Sequence, residues 1–151
     1  MGVPRTRLAW LPIVLVAMAG CSTTTSRLPS DLQRRLDAEG IVRREDDAPF
    51  RYTRGVIRRQ WDEGTASIVV TRSSVLIHKN ERVLLEITPR NRARYRVVRD
   101  HDRVAIRSAV PTSRASWSFR PRDDAEGWAR DLRATLRGAA SASADSGTSG
   151  D

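Results

Sequence analysis

The sequence predicts a mainly β domain (α+β) of about seven antiparallel strands, arranged as a sandwich or open barrel and capped by a C-terminal amphipathic helix. Two observations lead to this fold class. From about residue 50 to residue 119, apolar and polar residues alternate in short runs separated by turn-forming residues, which is typical of antiparallel strands with one solvated face. After that region, apolar residues recur with the period of a helix.

A short helix is predicted over residues 31–39, ahead of the strands. Ser30-Asp31-Leu32-Gln33 has the pattern of a capping box, and Gly40 is placed to end the helix. Leu32 and Leu36 give it only a thin apolar stripe. We therefore expect this helix to pack at an edge of the domain.

The strand region divides at its turn signals. The first strand is predicted near Tyr52–Gln60, with a turn at Asp62-Glu63-Gly64. Six further strands follow from alternating apolar residues: Ala66–Val70, Val75–Ile77, Val83–Ile87, Tyr95–Val97, Val104–Ile106 and Trp117–Phe119. His78 differs in parity from Val75 and Ile77, so its side chain is predicted to face outward.

The clearest element is a helix over about residues 123–137. Asp123 is its predicted cap, with Glu126 three residues later, and Gly138 is placed to end it. One helix face carries Ala125, Trp128, Ala129, Leu132 and Leu136. We expect Trp117 and Trp128 to belong to the core.

Seven strands followed by one helix with an inward tryptophan resemble the pleckstrin-homology-like superfold. The residues that suggest it run from Trp117-Ser118-Phe119 through the acidic helix start to Trp128, and the resemblance covers roughly Phe50 to Arg137. It implies a bent sandwich whose open corner is plugged by the helix. A small up-and-down barrel with a packed terminal helix would give a similar pattern. Some members bind phosphoinositides through a basic first loop, but the matching segment here, Gln60–Gly64, is acidic.

The first 20 residues have the layout of a secretory signal: a basic start, an apolar run over Leu8–Ala19 and small residues before Cys21. Met18-Ala19-Gly20-Cys21 resembles the lipobox of bacterial lipoproteins. The resemblance implies cleavage before Cys21 and lipidation of its thiol, with no other cofactor. In Gram-negative members of that family, a serine after the cysteine, such as Ser22 here, implies the outer membrane, at its periplasmic face. An ordinary cleaved signal or a short membrane helix are the alternatives.

The rest of the chain is divided accordingly. Residues 21–29 are a polar tether, residues 30–138 one β-rich domain and residues 139–151 a disordered tail. The formal charge is +9, and loss of Arg5 and Arg7 with the signal would leave +7. A GC-rich genome would account for the preference for arginine over lysine, and the alternative is that arginine is the better bidentate partner for phosphate and carboxylate. The positive charge favours anionic partners such as lipid head groups or acidic polymers, and export makes nucleic acid an unexpected partner.

Residue patterns typical of catalysis are absent from the sequence, so it does not predict an enzyme. It has no Gly-rich phosphate loop and no nucleophile elbow. His78 and His101 have no metal-ligand spacing, and Asp100-His101-Asp102 is interpreted as turn chemistry rather than a metal site.

The candidate anion- or partner-binding surface is basic. Alternation along one predicted strand places Arg92, Arg94 and Arg96 on one polar face, and Arg103 and Arg107 share the outer face of the next strand. Alternatively, acids on neighbouring elements, such as those near Asp124 or Asp131, neutralise these five arginines, or water and salt do. A weaker second patch comprises Tyr52, Arg58, Arg59 and Trp61.

These features lead us to expect a lipid-anchored, non-catalytic binding or scaffold module for an anionic envelope component or a protein partner. The membrane would be contacted through the lipid anchor. A carrier with an apolar lipid inside the sandwich is the alternative, and an enzyme is the least favoured reading.

Overall fold

The computed structural model describes residues 28–55 and 60–138. The predicted signal segment, Cys21, most of the tether and the tail at 139–151 lie outside the described residues. The elements in chain order are α1 (Ser30–Glu39), β1 (Ile41–Arg54), β2 (Gln60–Thr71), β3 (Val75–Lys79), β4 (Arg82–Ile87), β5 (Tyr95–Asp100), β6 (Arg103–Ser108), β7 (Ser116–Phe119) and α2 (Ala125–Arg137). A 3-10 turn at Arg92–Arg94 precedes β5.

The seven strands form one antiparallel sheet in the order β4-β3-β2-β1-β7-β6-β5, curled into a half-barrel. Strands β1 and β7 meet in the middle of the sheet because the chain returns from β6 to pair with its first strand. The predicted fold class is confirmed: a mainly β domain with seven antiparallel strands, a C-terminal helix and a short N-terminal helix.

The core lies on the concave side of the sheet, under α2. Trp128 and Leu132 of α2 are buried there against strand residues that include Ile68, Ile106 and Phe119. The rings of Trp128 and Phe119 meet edge to face, with centroids 5.2 Å apart. This geometry adds to the apolar burial that holds the helix in place.

Trp117 belongs to the same core but is only partly buried. Its ring lies between Tyr52, at 5.3 Å between centroids, and Tyr95, at 6.0 Å. Both tryptophans therefore pack with the core, as the sequence predicts.

Helix α1 packs on the outer face of the sheet. Leu28 and Leu36 form a second apolar cluster with Val69 of β2 and Leu76 of β3. The predicted capping box is wrong, because the cap position is Pro29 and no side chain of the described residues caps the helix. The Gln33 amide instead donates to Asp37, at 2.8 Å.

The predicted first strand is also wrong in its bounds. β1 begins at Ile41 and ends at Arg54, and Asp62-Glu63-Gly64 lies inside β2 rather than in a turn. Register shifts between Ile41 and Arg43 and between Glu45 and Ala48 break the alternation along β1. A bulge adds an unpaired residue, so the period of two is lost where it occurs.

The start of α2 differs by one residue from the prediction. Asp124, not Asp123, is the cap, and its carboxylate accepts a hydrogen bond from the Gly127 N–H at 2.8 Å. Gly138 ends the helix in the left-handed conformation, with φ 77°, as glycine does most readily.

Replacing Trp128 by alanine should lower the free energy of unfolding by about 3–5 kcal/mol, because it removes a large core ring and leaves a cavity beside Phe119. The matched control is Trp61→Ala, since Trp61 is 66% exposed and Trp128 only 3%. The control should change stability by less than about 0.5 kcal/mol. Urea unfolding followed by circular dichroism measures both, and equal losses would contradict the assigned core.

Candidate anion-binding surface

The predicted row of arginines along one strand is only partly correct. Arg92 and Arg94 lie in the 3-10 turn, and the strand begins after them at Tyr95. The Asn91 side chain accepts a hydrogen bond from the Thr88 N–H at 2.8 Å, which stabilises a turn there. The backbone therefore does not carry Arg92 and Arg94 onto one face with Arg96.

Arg96 and Arg107 do come together. They are directly opposite each other in the pairing of β5 with β6, and both are exposed. Arg103 shares the outer face of β6 but lies roughly 13 Å along the strand from Arg107, where it is opposite Asp100. Of the five arginines that the sequence predicts on two strands, three lie on strands in the structure, and two of these are side by side.

Arg96 and Arg107 border a shallow depression of about 350 Å³, which we call the arginine depression. It is lined by Thr53, Arg96, Arg107, Ser108, Arg114, Ala115 and Ser116. The third guanidinium belongs to Arg114. It was not predicted from the sequence, because Arg114 lies in the connection between β6 and β7, where no strand alternation exists. Arg114 has a φ of 45°, and this left-handed backbone is the only local signal that the residue is unusual.

A second depression, of about 320 Å³, lies between β5 and α2 and shares Arg96 with the first. Tyr95, Val97 and Leu136 line it together with further arginines, which are Arg92, Arg133 and Arg137. The guanidinium of Arg92 lies against Gly138 at the C-terminal end of α2, so close that a side chain at position 138 would collide with it. The negative end of the helix dipole favours a cation there.

Asp124 and Asp131, which were the acids expected to neutralise this surface, form ion pairs with another arginine. Arg43 of β1 binds both Asp131, at 2.5 Å, and Asp124, at 2.9 Å. Within residues 28–55 and 60–138, no carboxylate lies within ion-pair distance of Arg96, Arg107 or Arg114. Their positive charges are therefore left to solvent or to a ligand.

The ion pairs of Arg43 form part of another depression, of about 630 Å³, which also contains Trp128. The hydrogen bond from Arg43 to Asp131 raises the pKa of the guanidinium. The hydrogen bond from the Gly127 N–H lowers the pKa of Asp124, and the hydrogen bond from Arg43 lowers it further. Burial raises the pKa of Glu45, whose carboxylate accepts from the Arg122 N–H at 2.9 Å. Since both arginines and acids line this depression, it offers no single charge to a ligand.

The outward direction predicted for His78 is confirmed, but the side chain is not exposed to solvent. The side chain points to the outer face of the sheet, opposite Ser67 and Val83, but is 1% exposed. Neither ring nitrogen has a hydrogen-bond partner among the described residues. Burial lowers the pKa of His78, and the charge of Glu81 offsets this in part. Parity gave the direction of the side chain but not the packing that covers this face.

His101 lies in the exposed turn between β5 and β6, with Nδ1 2.8 Å from Asp100. Across the part of the chain that the structure describes, no three His, Cys, Asp or Glu side chains are grouped to hold a metal ion. In that same part, neither helix is long and apolar enough to cross a membrane. Arg58 and Arg59, from the second basic patch, lie outside the described residues.

Comparison with known proteins adds little to this geometry. No family model matches the chain, and no curated protein matches it. Among solved structures, the chain is similar to Vav1 inhibited by an allosteric inhibitor, with 14% identity and a TM-score of 0.41. The match covers 67% of this chain and 28% of the Vav1 chain.

The buried His78 ring leads to a prediction about acid stability. Its folded pKa is below the ordinary value of about 6.5, so the unfolded chain binds a proton more readily than the folded chain. His78 should therefore lower the free energy of unfolding as pH falls below about 6.5, and have no effect above it. Replacing His78 by leucine should remove this contribution.

The measurement is urea unfolding of wild type, His78→Leu and the exposed-histidine control His101→Ala, between about pH 5 and pH 7. The difference between wild type and His78→Leu isolates His78 from Glu45, whose raised pKa acts in the opposite direction. If that difference is the same at every pH, the ring does not titrate as its burial requires.

Proposed function

We propose that this chain is an exported lipoprotein whose β domain binds an anionic component of the cell envelope without catalysis. The lipid on Cys21 would anchor it, and the arginine depression would hold the ligand. One observation carries the binding proposal: Arg96, Arg107 and Arg114 line one depression, and no described carboxylate neutralises them.

The energetics of the sheet support this proposal. Arg96 and Arg107 are cross-strand neighbours, and like charges directly opposite each other destabilise a sheet. A bound carboxylate, phosphate or sulfate would relieve that repulsion. Guanidinium groups bind such oxyanions through pairs of parallel hydrogen bonds. The Thr53, Ser108 and Ser116 hydroxyls that line the depression add further hydrogen-bonding groups.

The architecture supports the proposed family and the choice of an outer site. Seven antiparallel strands and a C-terminal helix that carries Trp128 into the core are the features on which the pleckstrin-homology-like resemblance rests, so we propose that the domain belongs to that superfold. Core side chains such as Phe119, Ile68 and Leu132 occupy the concave side under α2. We therefore favour the outer surface over an interior lipid as the place of binding.

The double variant Arg96→Ala/Arg107→Ala should weaken the binding of tripolyphosphate about fivefold, since each solvent-exposed ionic contact contributes about 0.2–1 kcal/mol. Its charge-matched control is Arg34→Ala/Arg82→Ala, which removes two exposed arginines outside both arginine-lined depressions. Calorimetric titration of the full chain at two salt concentrations measures both. Equal affinities for the double variant and wild type would overturn the binding proposal.

The anchoring proposal is tested at Cys21. Cys21→Ala should move the chain from the membrane fraction to the soluble fraction, because acyl chains supply the binding energy of a lipid anchor. Ser22→Ala is the neighbouring control and should stay in the membrane fraction. Immunoblotting of fractions washed at high salt gives the distribution, and a Cys21→Ala chain that still sediments with membranes would refute the lipid anchor.

A further inference from the structure

A row of outward-facing residues crosses five neighbouring strands of the sheet. Thr53 is opposite both Trp61 and Ser116, Ser116 is also opposite Arg107, and Arg107 is opposite Arg96. Residues directly opposite each other in antiparallel strands project from the same face. We call this set the cross-strand row: Trp61, Thr53, Ser116, Arg107 and Arg96.

The row is longer than the arginine depression and differs chemically along its length. Four steps between neighbouring strands give it a span of roughly 19 Å. One end carries the guanidiniums of Arg96 and Arg107, the middle carries two hydroxyls, and the other end carries the indole of Trp61. None of its members is acidic, so the row has a single sign of charge.

Trp61 is the member that the anion site alone does not explain. Its side chain is 66% exposed, whereas Trp128 is buried in the core and Trp117 packs against it. A lone exposed apolar residue is ordinary on a protein surface. In this protein, however, the exposed indole is in register with two hydroxyls and with two arginines that have no carboxylate partner among the described residues. An exposed indole face can stack on a flat apolar surface of a ligand while its N–H stays available to a polar group.

We propose that the cross-strand row binds an acidic polysaccharide chain laid across the strands. A sugar ring presents an apolar C–H face to Trp61, its hydroxyls match Thr53 and Ser116, and its carboxylate or phosphate groups meet Arg107 and Arg96. The proposal rests on the anion binding proposed above and names the ligand class for it.

The composition of the row favours this ligand over other polyanions. Single-stranded nucleic acid is held by successive aromatic platforms along a basic groove, and this row has one aromatic residue. An anionic membrane surface would favour several apolar residues that enter the bilayer interface, but hydroxyls stand between the indole and the arginines. A polymer of acidic sugars needs all three kinds of group at once.

The experiment compares two probes on the full chain: a short oligogalacturonate, which is an acidic oligosaccharide, and tripolyphosphate, which carries charge without sugar rings. Trp61→Ala should weaken the binding of oligogalacturonate about tenfold and leave tripolyphosphate within about twofold of wild type. Trp61→Phe, which keeps an aromatic face, should recover most of the oligogalacturonate affinity. An uncharged oligosaccharide of the same length should bind at least about tenfold more weakly than oligogalacturonate.

The outcomes separate this inference from the proposed function. If Arg96→Ala/Arg107→Ala weakens both probes but Trp61→Ala weakens neither, anion binding stands and the polysaccharide proposal fails. The proposal also fails if a single-stranded oligonucleotide or anionic vesicles bind more tightly than oligogalacturonate in a Trp61-dependent manner. If the double arginine variant changes neither probe, anion binding itself is refuted, and the polysaccharide proposal with it. The urea unfolding of Trp61→Ala, which is also the control for Trp128→Ala, shows whether this variant is folded.

Discussion

Trp128 connects three parts of this protein at one side chain. Its ring meets Phe119 edge to face inside the half-barrel, and the guanidinium of Arg43 stands 5.9 Å from its centroid. Arg43 belongs to β1 and is held in turn by Asp131 of α2. Edge-to-face packing and a cation over an indole each add to the apolar burial of the ring. The position of α2, and of the arginines along it, depends on this arrangement.

The same arrangement determines which arginines have a carboxylate partner and which do not. Asp131 and Asp124 serve Arg43 on the β1 side of α2, and Glu126 contacts Arg99 near the end of β5. The acids of α2 therefore form their ion pairs where the helix meets β1 and where it meets the C-terminal end of β5. The N-terminal end of β5, its neighbour on β6 and the connection to β7 keep their arginines without a described carboxylate. Folding of the apolar core therefore determines the electrostatics of the outer face.

Sequence periodicity predicted the sheet wherever it was regular and failed where backbone detail intervened. Ile68, Ile77 and Ile106 point inward, as predicted, because apolar residues recur at every second position along their strands. The bulges of β1 hid its first half, and the turn at Asn91 removed two arginines from the predicted face. The place of Arg114 at the depression depends on a loop conformation, which no periodic pattern encodes.

Exposure limits what each group on the outer face can contribute. A solvated arginine gains only about 0.2–1 kcal/mol from one ionic contact, because water screens it and the side chain loses freedom. A small anion would satisfy one or two of these arginines and leave the rest of the face unused. A ligand that repeats its charges along its length engages several weak contacts within one molecule, which avoids a separate loss of translational freedom for each. The spacing of the groups across five strands therefore favours an extended ligand with repeated charges.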